Sequence, residues 1–249
     1  MSVFYGVGVG PGDPELLTLK ALRCIECADV VCFLVNDKGE SQAKYIAREA
    51  FLQPRAQQQL LPIPMPFLTD RTLANQAYDL GAAAICAQLA QGKSVAFLCE
   101  GDPLFFGSFT YLLDRIKDRF SCQVIPGISS INAAAATLVH PLTMLSESFA
   151  VLSGRHAQAK LQAALLEHDS VVIMKAGQAR VKILAALEAT GRIEQAQYLE
   201  YVGRDNQWLE PNVALLPREV GPYFSLFIVT SNQRQHRGQS AGSVEVIND

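Results

Sequence analysis

The chain has 249 residues, 49% of them apolar and 18% charged, enough for one large core or two modest ones. Its 24 acidic and 21 basic side chains leave a formal charge of −3, which argues against a general nucleic-acid binder but leaves room for a local basic patch. No basic leader followed by an apolar run opens the sequence, and no apolar stretch approaches the roughly 20 residues that cross a bilayer, so a soluble cytoplasmic protein is expected.

Residues 3–10 read as a strand, 14–28 as a helix and 30–35 as a second strand. A short helix is expected over 41–51. The run Leu60 to Pro66 has proline at every second position and must be extended, as an edge strand or a loop. Residues 70–91 form a long alanine-rich helix, 94–100 a strand, 103–120 a helix, 122–125 a strand and 129–138 a helix. This β–α alternation predicts a mostly parallel sheet with helices on both faces. His140-Pro141-Leu142-Thr143 breaks it, and the predicted domains are 1–143 and 147–232. The second half reads as strand 149–153, helix 157–166, strand 170–174, helix 180–190, a strand near 197–202 and a last strand over 223–230, mixed in direction. The fold class is therefore α/β, with two α/β domains. Residues 233–249 form a polar tail.

The six cysteines, Cys24, Cys27, Cys32, Cys86, Cys99 and Cys122, sit in apolar surroundings without a disulfide-framework spacing, so buried free thiols in a reducing compartment are expected. Cys24 and Cys27 form C-x-x-C inside a helical run, but no second Cys/His pair completes a zinc spacing, and no metal is expected. The run Gly6-x-Gly8-x-Gly10 fails the G-x-G-x-x-G fingerprint, because the fifth residue after Gly6 is Pro11 and the fifth after Gly8 is Asp13. Gly92-Lys93-Ser94 precedes a strand, whereas a phosphate-binding loop follows one; a surface turn is the better reading.

What survives is a set of strand-end elbows. Gly-Asp-Pro closes two strands, at Gly12-Asp13-Pro14 and Gly101-Asp102-Pro103, and Pro126-Gly127-Ile128-Ser129-Ser130 closes a third. Glycine turns the chain, aspartate caps exposed N–H groups and proline suits a helix start. Ligands bind outside the carboxyl ends of strands in open α/β sheets, so these elbows are expected to face one site. Each taken alone is an ordinary helix start.

Taken in order, Tyr5-Gly6-Val7-Gly8-Val9-Gly10-Pro11-Gly12-Asp13-Pro14-Glu15-Leu16-Leu17-Thr18, the loop Glu100 to Ser108, and Val124 to Ser130 resemble the tetrapyrrole (corrin/porphyrin) methylase family. Met174-Lys175-Ala176-Gly177 and Pro222-Tyr223-Phe224-Ser225-Leu226 look like its branch acting at C20 of precorrin-2 or cobalt-precorrin-2. The resemblance implies two α/β domains with a cofactor cleft between them, a homodimer, S-adenosyl-L-methionine as methyl donor and a tetrapyrrole substrate. It carries cofactor contacts onto Pro11, Gly101, Asp102, Phe106, Ser129, Ser130, Met174, Lys175 and Ala176.

A sulfonium cofactor with an adenine and an amino-acid zwitterion needs backbone donors and acceptors, small residues and few strong charges, which such loops supply. A ring bearing many carboxylates needs local cations; Arg155, Arg180 and Arg204 are the candidates, with His156, Lys160 and Lys175 beside them, and each is equally an exposed surface charge. Asp102 stands either as the base that takes the proton from the methylated carbon, with Lys175 as its electrostatic partner, or as a helix cap. Other members of the superfamily, acting on a different corrin carbon, on uroporphyrinogen or on diphthine, and a catalytically silent tetrapyrrole-binding protein are the alternative functions.

Overall fold

The computed structural model describes residues 2–52, 56–66 and 71–231. The chain divides into two compact units, Met1–Ala133 and Ala134–Asp249, so the division falls inside the helix Ser130–Leu138 rather than at the proline-marked break near residue 141. The expected polar tail and Asp70 lie outside the described residues.

In the first unit, β1 (Val3–Gly8), β2 (Val30–Val35), β3 (Gln59–Pro64), β4 (Val95–Cys99) and β5 (Ser121–Ile125) form one sheet in the order β3-β2-β4-β1-β5. Every pairing is parallel. The proline-rich run is the edge strand. Gln59 and Met65 donate their N–H groups to Asp29 and Val35, so the odd-numbered residues face the sheet, and the missing donors of Pro62 and Pro64 fall on the open side.

Helices α1 (Leu19–Cys27), α2 (Gln42–Ile46), α3 (Arg71–Ala90) and α4 (Phe109–Ile116) cover this sheet, and α5 (Ser130–Leu138) leads out of it. Two apolar clusters form on it. Phe4, Phe97, Ile85, Leu89, Phe109, Leu112 and Ile116 pack as one, Val7, Val31, Phe33, Leu98, Ile25 and Ile46 as the other. Alternate residues of β1 and β4 divide between the two clusters, as the two-residue period of a strand buried on both faces requires.

The second unit has a mixed sheet in the order β6-β7-β10-β8-β9, from β6 (Phe149–Ser153), β7 (Ser170–Met174), β8 (Ala196–Glu200), β9 (Trp208–Glu210) and β10 (Ser225–Val229). Strands β6 and β7 are parallel; β7–β10, β10–β8 and β8–β9 are antiparallel. Leu161 and Leu165 of α6 (Gln158–Glu167) and Ile183, Leu184 and Leu187 of α7 (Arg180–Ala189) pack with Val171, Ile173, Tyr198 and Phe227. Strand β9 has only three residues, too few to show an alternation in the sequence.

Two helices begin later than the Asp-Pro starts predict. Asp13 accepts the N–H of Glu15, but the helix it opens is a single 3₁₀ turn over Pro14–Leu16; α1 starts afresh behind Thr18, whose hydroxyl accepts the N–H of Ala21. After the second Gly-Asp-Pro the chain stays irregular to Ser108, because Phe106 has φ +55, outside the right-handed helical region. All six cysteines are free thiols. Among the described residues no helix is long and apolar enough to cross a membrane.

Candidate functional site

The order β4-β1-β5 sets the carboxyl ends of three strands side by side, with Gly8 opposite Cys99 and Val7 opposite Ile125. The three elbows therefore leave the sheet together. The first two are tied by an antiparallel bridge, in which Gly101 donates its N–H to the carbonyl of Gly10 at 2.8 Å. The third is pressed against both. A Cβ on Gly127 would lie 2.1 Å from the carbonyl oxygen of Gly101 and 2.8 Å from Cα of Gly8, so only glycine lets the three backbones approach this closely.

Asp102 locks the arrangement. One carboxylate oxygen accepts the N–H of Leu104 at 2.9 Å, and the other accepts the N–H of Gly127 at 3.1 Å. The side chain thus caps its own turn and staples the second loop to the third. It does not start α4, whose preceding residue Ser108 makes no side-chain cap. Both of its donors belong to loops rather than to a helix.

Around these backbones several apolar side chains reach the surface. Leu104, Phe105, Phe106 and Ile128 are exposed, and the rings of Phe105 and Phe106 meet edge to face at 5.2 Å. Pro11 is buried on the first loop, while Ser129 and Ser130 are half-buried on the third, where the Ser129 hydroxyl bonds Asn132. Backbone polar groups, small residues and an apolar rim are what a sulfonium nucleoside needs, and the Asp102 carboxylate is engaged by two N–H groups.

In the second unit β8 runs parallel to β7, because both are antiparallel to β10, so one end of the sheet gathers residues from distant segments. Ser153 pairs with Met174, Met174 with Leu226, Ser225 with Glu200 and Glu200 with Trp208. Arg155, Lys175 and Arg204 follow strands at this end. Arg155 is exposed; Arg204 is half-buried, with its guanidinium 3.9 Å from the centroid of Phe224. Lys160 is exposed on α6, and His156 is half-buried with its carbonyl taken by Lys182. Met174 and Lys175 are half-buried and Ala176 is fully buried.

Arg180 is placed differently from the other cations. It is 5% exposed, and its Nη2 donates to the Tyr198 hydroxyl at 2.8 Å and to Glu200 at 2.7 Å. The structure corrects the expectation of a carboxylate-seeking surface arginine here, because this guanidinium already has a carboxylate partner. Tyr198 and Glu200 lie two apart on one strand, hence on one face, and that spacing is the signal a reading of isolated basic residues overlooks. Sequence reasoning also missed the exposed Trp208 at this end, and the positive φ of Lys175 (+54) and Tyr201 (+51), each directly after a strand.

The sequence from residue 3 to 214 matches the model of the Tetrapyrrole (Corrin/Porphyrin) Methylases, and the chain belongs to that family. It is 37% identical to a precorrin-2 C(20)-methyltransferase of Sinorhizobium sp. over 232 residues, 90% of this chain and 93% of the relative. It is 32% identical over 193 residues to the cobalt-precorrin-2 C(20)-methyltransferase of Salmonella typhimurium, 77% of this chain and 80% of that one. Among solved structures, uroporphyrin-III C-methyltransferase from Thermus thermophilus, complexed with S-adenosylhomocysteine, superposes with a TM-score of 0.64 at 25% identity, covering 94% of this chain and all of that one.

Proposed function

We propose that the chain is an S-adenosylmethionine-dependent methyltransferase that methylates C20 of precorrin-2 or cobalt-precorrin-2 in corrin-ring synthesis, acting as a cytoplasmic homodimer. The observation that carries this reading is the likeness to two C(20)-methyltransferases over most of both chains, in a molecule whose three strand-end loops are intact. In this reading the candidate cofactor contacts are Pro11, Gly101, Asp102, Phe106, Ser129 and Ser130 in the first unit, and Met174, Lys175 and Ala176 are the candidates in the second. Arg155 and Arg204 bind substrate carboxylates, with the exposed Tyr223 and Trp208 offering ring surface at the same sheet end.

When bound, S-adenosylmethionine supplies an electrophilic methyl on a sulfonium that departs as a neutral thioether. The substrate's meso carbon is the nucleophile, so no side chain need form a covalent bond. The protein's share is proximity, orientation and exclusion of water. Asp102 orients: its two oxygens fix the second and third loops, and the proton lost from C20 requires no stronger base than a carboxylate or water nearby.

The test is turnover with S-adenosylmethionine and three rings in parallel: precorrin-2, cobalt-precorrin-2 and uroporphyrinogen III. Addition of one methyl to either of the first two, and none to the third, supports the reading. Methylation of uroporphyrinogen III alone, or of no ring, overturns it.

A further inference from the structure

We infer that Arg180 is a positioning residue that clamps the Lys175–Gly177 turn through the overlying segment 221–225. The inference rests on the proposed reading of that turn as part of the cofactor site. Lys175 has φ +54, a conformation that costs a residue with a side chain and persists only where its surroundings hold it. The surroundings are specific. Ala176 donates its N–H to Ser225 at 3.1 Å, Gly221 donates its N–H to Gly177 at 3.0 Å, and the Ser225 hydroxyl closes back on the carbonyl of Pro222 at 2.7 Å. A Cβ on Gly177 would lie 2.0 Å from the carbonyl oxygen of Pro222, so segment and turn are in direct backbone contact.

The guanidinium of Arg180 lies under this segment. A Cβ on Gly221 would fall 2.0 Å from its Nη2 and 2.5 Å from its Cζ, so Gly221 rests on the flat of the group. Glu200 and the Tyr198 hydroxyl hold Nη2, and the ring of Tyr198 faces Cζ at 4.9 Å. The buried Nε has no hydrogen-bond partner. A buried ion pair with an unmet donor is poor at conferring stability, and the use it serves best is to fix one arrangement of the backbone around it. Arg180 so placed sets the height of Gly221, Gly221 sets Gly177, and Gly177 sets the Lys175–Ala176 peptide.

The experiment uses the full-length Arg180→Met/Glu200→Gln double variant, which removes both charges together and keeps a side-chain partner for Tyr198. Hydrogen exchange at the amides of Ala176 and Gly221 is expected to speed up about tenfold, with the thermal midpoint close to that of the parent. The dissociation constant for S-adenosylmethionine is expected to rise about tenfold, while kcat at saturating cofactor stays within about twofold. Gly221→Ala, which drives a methyl against the guanidinium, is expected to raise the same two exchange rates and the dissociation constant together, with a lowered thermal midpoint, and serves if the double variant does not fold. Unchanged exchange at both amides overturns the clamp; faster exchange with unchanged cofactor affinity overturns its role at the site. A parent protein that binds no S-adenosylmethionine fails the underlying reading of the turn, and the exchange rates still judge the clamp itself.

Discussion

Asp102 accepts two backbone N–H groups on one carboxylate, and this dual grip makes its substitution informative. Asn offers one good acceptor, so in Asp102→Asn either Leu104 or Gly127 faces an amide NH₂ and loses its bond, a cost of about 1–2 kcal/mol at a half-buried site. The expected result is about a tenfold weaker binding of S-adenosylhomocysteine by calorimetry, with turnover largely retained at saturating cofactor. Unchanged binding with turnover abolished would instead make Asp102 the base. The sequence made both roles legible, since an aspartate before a proline is a cap and an aspartate at a strand end is also a candidate base. It could not reveal the partner, because Gly127 lies 25 residues away and the contact exists only once β4, β1 and β5 are adjacent.

Elements show the same division between what is local and what is not. The strands of the parallel sheet were legible, and the proline-bearing run was narrowed to an edge strand or a loop, because burial and proline impose patterns within five or six residues. Two helix starts were not legible, although α2, α3, α5, α6 and α7 begin within one residue of the expected positions. Asp13-Pro14 and Asp102-Pro103 satisfy the local rule, yet α1 and α4 begin further on, at Leu19 and Phe109, where tertiary packing and the positive φ of Phe106 intervene. Packing between elements yields two sharper expectations. Gly127→Ala drives a methyl into the backbone of both other loops; it is expected to destabilise the protein by about 2–3 kcal/mol in urea unfolding and to abolish cofactor binding.

Arg192 acts on an element without touching the site. Its guanidinium donates to the carbonyls of Leu165, His168 and Asp169 at 2.7–2.8 Å, closing the end of α6. Removing it in Arg192→Met leaves those acceptors unmet, with an expected loss of about 2–4 kcal/mol in stability and an unaltered dissociation constant for S-adenosylmethionine. A large change in that constant would show that the two kinds of buried arginine do not have separate tasks.

At the scale of the whole molecule, free thiols couple stability to alkaline pH. Burial, reinforced by Cys27, pushes the Cys24 thiol up to about 12, and burial raises Cys32 and Cys99 as well. An unfolded thiol ionises near 8.5, so the stabilising preference for the neutral form is fully present below that pH and is lost as the pH climbs from there toward the folded values. The urea midpoint is therefore expected to fall between pH 8 and pH 10, and less so in a Cys24→Ala variant.

The net charge of −3 offers the proposed polyanionic substrate no global attraction, and one end of the second sheet collects Arg155, Lys175 and Arg204 with Trp208 and Tyr223. Methylation at C20 is read directly from the carbon NMR spectrum of the product formed from precorrin-2 and S-adenosylmethionine labelled with ¹³C at the transferred methyl. One enriched methyl resonance is expected, coupled to C20 when that ring carbon is also labelled. A methyl bonded to any other ring carbon, or no enriched methyl on the ring, would contradict the proposed function.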